Sequence, residues 1–136
     1  GMRLLTLPQA LREHRPEERP LGEASWGEGK SLETWDSPGV SDLIWASRRL
    51  ELRLLRALRA GQLEQAAALR AARELLAVQS SDWAFMDHRG RAGDYPYRRA
   101  VTHAEALLEA IDSADAPEPG VRNLAPDLRL APLLEP

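Results

Sequence analysis

In the stretch ASWGEGKSLETW, Ala24 to Trp35, two tryptophans stand nine residues apart with glycines and charged residues between them. The chain holds only four Trp, two Tyr and one Phe, so a glycine-rich segment that takes two of these rings needs a chemical reason. A tryptophan face stacks on the apolar face of a pyranose, and two such platforms suit an oligosaccharide; the same ring anchors protein interfaces or fills a core. On residue pattern alone, interface or core comes ahead of sugar for Trp26 and Trp35. Trp45 falls on a helical stripe and reads as core, while Trp83 follows a helix cap and reads as core or pocket wall.

Other chemistry-bearing groups are less organised. Glu28, Glu33 and Asp36 lie in the same segment. Glycosidic acid/base work needs two carboxyls roughly 5–9.5 Å apart across a bound sugar, but loop carboxylates are mostly solvated, and no catalytic residue is assigned to them. His14, His88 and His103 are too scattered for a metal motif, and DHRGRAGD lacks a calcium-loop pattern, so no metal or cofactor is expected. The histidines read as surface residues, with His103 alternatively lining a helix interface. WGEGK lacks the spacing of a phosphate loop, and no nucleophile elbow or Ser/His/Asp arrangement stands out.

Composition narrows the classes. The chain has 136 residues, enough for one domain, and a net charge of −3 with 29% charged residues. No bulk attraction to nucleic acid or membrane is expected from that balance. The absence of cysteine excludes disulfides, thiolate catalysis and Cys-based zinc sites. No apolar run approaches the roughly 18 residues of a membrane span, and no secretory signal is recognisable, so a cytoplasmic protein is expected.

The segments that must position the tryptophans read as follows. TLPQALREH makes a short helix capped by Thr6, with Pro8 in its first turn, and Pro16 and Pro20 bound a connector. Leu21 to Val40 is a loop of about twenty residues, longer than the usual upper range of about 12–15, and its aromatics argue against disorder. A strong helix starts at Ser41-Asp42, with Leu43, Ser47, Leu50, Leu54 and Leu58 in register and Trp45, Leu52 and Leu55 widening the stripe. Gly61 ends it, and QLEQAAALRAARELLAVQ returns antiparallel, with Leu69, Ala72, Leu75 and Leu76 as its apolar side and Leu63, Ala67, Arg70, Glu74 and Val78 on the other. Ser80 or Ser81 caps a short helical turn. Gly90 and Gly93 mark a loop, and Asp94 caps a last helix with Tyr97, Val101, Ala104, Leu107, Leu108 and Ile111 as its stripe. From Ala114 a proline-rich tail follows whose leucines suggest packing on the domain or on a partner. The expected fold is all-α: a small bundle of three long helices plus short ones, with a long Trp-bearing loop and an extended Pro-rich tail. The expected boundaries are 1–20 for the short helix and connector, 21–113 for the helical domain and 114–136 for the tail.

Three blocks then carry a resemblance. ASWGEGKSLETW resembles the SSWGEGG…W segment of glycoside hydrolase family 57 glucan branching enzymes. ARELLAVQSSDWAFM resembles their ARELLLLQSSDWPF, the most specific match, and GRAGDYPYRRAVTHAEAL resembles the G-x-A-x-D-Y-A-x-x-R…H pattern that follows. Order and approximate spacing agree from Leu21 to Leu108. The resemblance implies an all-helical C-terminal domain that packs against a barrel carrying the catalytic carboxylates and closes one side of its cleft. It implies that Trp26 and Trp35 line the glucan cleft, with Asp82 facing it and Trp83 beside it. Lys30 departs from the pattern, standing where the family prefers glycine.

With the resemblance, sugar moves ahead of interface and core. The expected work is binding of α-1,4-glucan by a cleft-closing domain that lacks the catalytic barrel. The expected partners are the glucan and a barrel in the parent chain or in trans, with self-association through exposed apolar surface also open, and neither nucleic acid nor membrane. The alternative is a non-enzymatic helical module that docks onto a separately encoded protein. Neither catalytic carboxylate of the family can be placed on this chain, so the purified chain is expected to leave amylose unbranched. Iodine staining after incubation checks this, and a spectrum shifted toward branched glucan would refute it.

Overall fold

A computed structural model describes residues 2–113, 125 and 127–135. Its helices are α1 (Leu7–Glu13), α2 (Ser41–Arg59), α3 (Gln65–Val78), α4 (Ser81–Arg89), α5 (Tyr95–Asp112) and α6 (Ala131–Leu134), with a 3-10 turn at Glu28–Lys30. No strand occurs among the described residues. The three long helices are α2, α3 and α5, as the periodicity predicts. The expected short turn after Ser80 is a helix of nine residues.

Local chemistry sets the ends. Thr6 precedes α1, and Gln9 Oε1 accepts a hydrogen bond from its backbone N at 2.9 Å, while Pro8 sits in the first turn. At the end of α2, Gly61 takes φ 63°, and the Gly61 and Gln62 amides donate to the carbonyls of Leu58 and Ala57, each at 3.1 Å. This left-handed exit turns the chain straight into α3. Ser80 Oγ accepts from the Asp82 amide at 3.4 Å to start α4, and Gly90 in the left-handed region ends it. Asp94 stands at the cap position of α5, but its side chain makes no capping bond there.

The core is one cluster of Leu50, Leu54, Ala71, Ala72, Leu75, Val78, Leu107 and Ala110. Helix α3 packs against both α2 and α5, which also touch each other, so its inward arc is broad. Gln79 at the end of α3 donates to Glu51 of α2 at 3.3 Å, which fixes those two helices as antiparallel. Arg70 meets Glu109 at 3.1 Å and Glu74 meets His103 at 2.7 Å, so ascending positions on α3 face descending ones on α5. The alanines of α3 leave room for that close approach. Leu128, Leu130 and Leu133 pack against the core, and α6 lies on α2. The described end of the tail therefore packs on the domain itself and includes a helical turn; the expected extended course from Ala114 to Leu124 lies outside the described residues. Helix α1 buries no residue and, among the described residues, packs against no other helix. Among the described residues no helix is long and apolar enough to cross a membrane.

Three expectations about helix faces are corrected. On α3, Arg70 is buried and Leu76 is exposed, because Glu109 and His103 on α5 supply partners that bring Arg70 and Glu74 into the seam. On α5 the buried residues are Pro96, Ala100, His103, Leu107 and Ala110, while Tyr97 and Val101 are exposed, so the inward face is rotated from the hydrophobic stripe. Trp45, expected in the core, is 64% exposed, since the buried residues of α2 begin only at Leu50.

His103 is a helix-interface residue and not a surface one. Arg99 Nη2 lies 3.0 Å from His103 Nε2. A guanidinium can only donate, so Nε2 accepts and the ring proton sits on Nδ1, from which it is donated to Glu74 Oε2 at 2.7 Å. Trp83 stacks on the same imidazole with centroids 6.3 Å apart. Removing the carboxylate would strand a buried N–H. Glu74→Ala is expected to lower stability by about 1–3 kcal/mol, whereas the exposed Glu105→Ala should stay within about 0.5 kcal/mol. Urea midpoints of the two variants provide the check.

Candidate functional site

The segment around Trp26 is a loop closed by its own side chains. Ser25 Oγ donates to the Ser31 carbonyl and accepts from the Gly27 amide at 3.0 Å. The Ser25 amide donates to the Lys30 carbonyl at 3.2 Å, and the fully buried Thr34 offers Oγ1 to the Glu28 amide at 3.3 Å. The Trp35 and Asp36 amides both donate to Leu32 O at 2.8 Å. Backbone polar groups in a loop without regular structure must find such partners or water.

Gly27 is required by volume. A Cβ built there would lie 2.8 Å from Trp35 Cζ3 and 2.9 Å from Thr34 Oγ1. Lys30 is unusual for a different reason: its φ is 61°, in the left-handed region that favours glycine. It is the same position at which the sequence departs from the glycine of the resembled pattern.

The aromatic rings meet above this loop. Trp26 and Trp35 lie 4.8 Å apart between centroids with planes at 65°, forming a corner. Trp26 also contacts Phe85 of α4 at 4.9 Å. Trp35 is half-buried, and its Nε1 donates to the Ser81 carbonyl at the start of α4, 3.2 Å away. Trp26 remains 61% exposed although it stands between the hydrogen-bonded Ser25 and Gly27. Arg89 caps the other end, with its guanidinium 5.3 Å from the Phe85 centroid and Nη1 3.5 Å from the Glu28 carboxylate. Helix α4 thus presents Ser81, Phe85 and Arg89, at intervals of four, to the loop. Beside them an open cavity of about 470 Å³ is lined by Phe85, Met86, Arg89, Arg91 and Ala92.

The residues singled out from sequence fall into two places. Trp26 and Trp35 form the corner. Asp82 is exposed in the first turn of α4, next to the carbonyl that holds Trp35, and its Oδ2 accepts from Ser80 Oγ at 3.2 Å. Trp83 points instead into the body of the domain: its Nε1 donates to the Ala77 carbonyl at 2.6 Å, and its ring meets His103 and Tyr95. Sequence reasoning missed Phe85 and Arg89. The available signal was their i, i+4 spacing on a helix that already carried the specific motif. Glu28 pairs with Arg89 rather than opposing a second carboxylate. Among the described residues no group of three or more His, Asp or Glu is arranged to hold a metal ion.

Comparison with known proteins addresses the helical part directly. Residues 42–125, more than half of the chain, match the family model described as 1,4-alpha-glucan branching enzyme, C-terminal. The match covers α2 to α5 and begins after the tryptophan loop. Two relatives, each named probable 1,4-alpha-glucan branching enzyme and drawn from two strains of Mycobacterium tuberculosis, are 32% identical over 123 residues. The alignment covers 80% of this chain and 23% of each relative, so the chain spans about a quarter of their length. No solved structure matches it.

The backbone at Lys30 yields a direct test. A left-handed residue with a Cβ costs roughly 1–2 kcal/mol, part of which glycine returns through the greater entropy of its unfolded chain. Lys30→Gly is therefore expected to stabilise the protein by up to about 1 kcal/mol, read as a raised thermal midpoint. A lowered midpoint would contradict the strain at this residue.

Proposed function

The chain belongs to the family of 1,4-alpha-glucan branching enzyme C-terminal domains, and on that premise we propose that its tryptophan corner binds an α-1,4-glucan chain. The carrying observation is Trp26, a large apolar ring kept 61% in solvent on a loop closed by its own hydrogen bonds. An exposed indole is normally a poor use of apolar surface. It becomes a good one when a pyranose face covers it, and Trp35 and Phe85 hold it from behind. Asp82 and Glu28 lie at the edges, where carboxylates can accept hydrogen bonds from sugar hydroxyls.

The role is positioning. Transfer of a glucan segment to a hydroxyl needs the chain held close and water kept away, and both depend on binding geometry fixed in advance. Within a complete enzyme like the named relatives, the corner would orient the glucan while other parts of that protein cut and rejoin it. A second role is favoured by Ile44 and Trp45, both exposed on the first turns of α2: this face would dock onto a catalytic barrel, in the parent chain or in trans.

Maltoheptaose is expected to perturb the tryptophan fluorescence of the chain, and Trp26→Ala to abolish the response. Loss of a fully buried aromatic costs about 3–5 kcal/mol, but Trp26→Ala should cost less than about 1 kcal/mol because its ring is largely solvated. A silent titration of the wild-type chain, or a Trp26→Ala variant that still responds in full, would count against the corner as the glucan site.

A further inference from the structure

We infer that the cavity beside α4 is a second glucan-binding stretch, continuous with the tryptophan corner, in which Arg91 hydrogen-bonds sugar hydroxyls; this rests on the glucan role of the corner. The cavity measures about 470 Å³ and is lined by Phe85, Met86, Arg89, Arg91 and Ala92. That volume lies within the roughly 300–1,000 Å³ of small-molecule sites, which join an apolar lining to a few polar groups. Met86 and Ala92 are half-buried and make apolar walls, and Phe85 is a wall shared with the corner, since its ring lies 4.9 Å from Trp26. Phe85 is thus common to the corner and the cavity, which places the two next to each other.

The charges select the ligand class. Two guanidiniums at one cavity would suit a phosphate if both were free to clamp it. Here Arg89 is already stacked over Phe85 and paired with Glu28, whose carboxylate offsets its charge. Arg91 is exposed and has no partner among the described residues. An exposed guanidinium above apolar walls fits an uncharged polyhydroxyl chain: it offers several N–H donors to hydroxyl oxygens, while the walls meet the C–H faces of the rings.

Calorimetric titration of the chain with maltotriose and maltoheptaose separates the two stretches. The shorter sugar occupies the corner, and the longer one extends into the cavity. Arg91→Ala removes an exposed side chain with no partner among the described residues, so folding should be intact. It is expected to weaken maltoheptaose binding about three- to tenfold and to leave maltotriose binding within about twofold. Unchanged maltoheptaose affinity, or equal loss for both sugars, would overturn the cavity assignment while the corner stands. Should the wild-type chain bind neither sugar, the corner is refuted and the cavity with it.

Discussion

The arrangement depends on the seam between α3 and α5, where Glu74 accepts from His103 across two packed helices. A carboxylate drawn partly out of water into a helix seam is unfavourable unless hydrogen-bonded, and the imidazole meets that need while Arg99 satisfies its other nitrogen. The seam also sets the third partner. Trp83 lies on the imidazole and ties its indole N–H to the Ala77 carbonyl, so α4 has one orientation relative to α3 and α5. Everything on the opposite side of α4 inherits that orientation. The Ser81 carbonyl that holds Trp35 and the Phe85 ring that backs Trp26 belong to that same helix. Trp83 therefore shapes the tryptophan corner through the helix it orients, from a position inside the domain.

Much of the bundle is legible in the sequence because helix boundaries are local chemistry. Thr6, Ser80, Gly61 and Gly90 mark ends that the structure keeps, and the leucine spacing of α2 identifies Leu50 and Leu54 as core. Helix faces are less legible. Arg70, Glu74 and His103 turn inward, and Tyr97, Val101 and Leu76 turn outward, because the inward groups meet partners on another helix that hydrophobic periodicity does not register. Trp45 reads as core because its helix is amphipathic throughout, but among the described residues nothing buries its ring. At the candidate site, Trp26 and Trp35 stand out by composition alone. Phe85 and Arg89 do not, since their meaning arises only when a loop folds onto a helix some sixty residues further along the chain.

Rigidity explains how an exposed ring can serve binding. Ordering a loop on ligand capture carries an entropic cost that lowers affinity, and a surface fixed during folding avoids it. The loop from Ser25 to Asp36 meets this condition with hydrogen bonds from Ser25 and Thr34 and with the Trp35 anchor on α4. Surface charge contributes little by comparison. Pairs such as Arg53 with Asp112 are largely solvated, and exposed ion pairs contribute roughly 0–1 kcal/mol.

The loop's glycines differ in what they forbid, and that difference sets which substitutions the site can absorb over generations. Gly22 has open space around it and an ordinary backbone, so it is free to drift. Gly29 is constrained by its left-handed dihedral, with nothing near it. Gly27 is constrained by the ring of Trp35 and the hydroxyl of Thr34, so a single methyl there would push directly on the corner. A mutational survey of this loop would then register two separate tolerances. Change at Gly29 would be felt as altered stability, and change at Gly27 as an altered angle between Trp26 and Trp35.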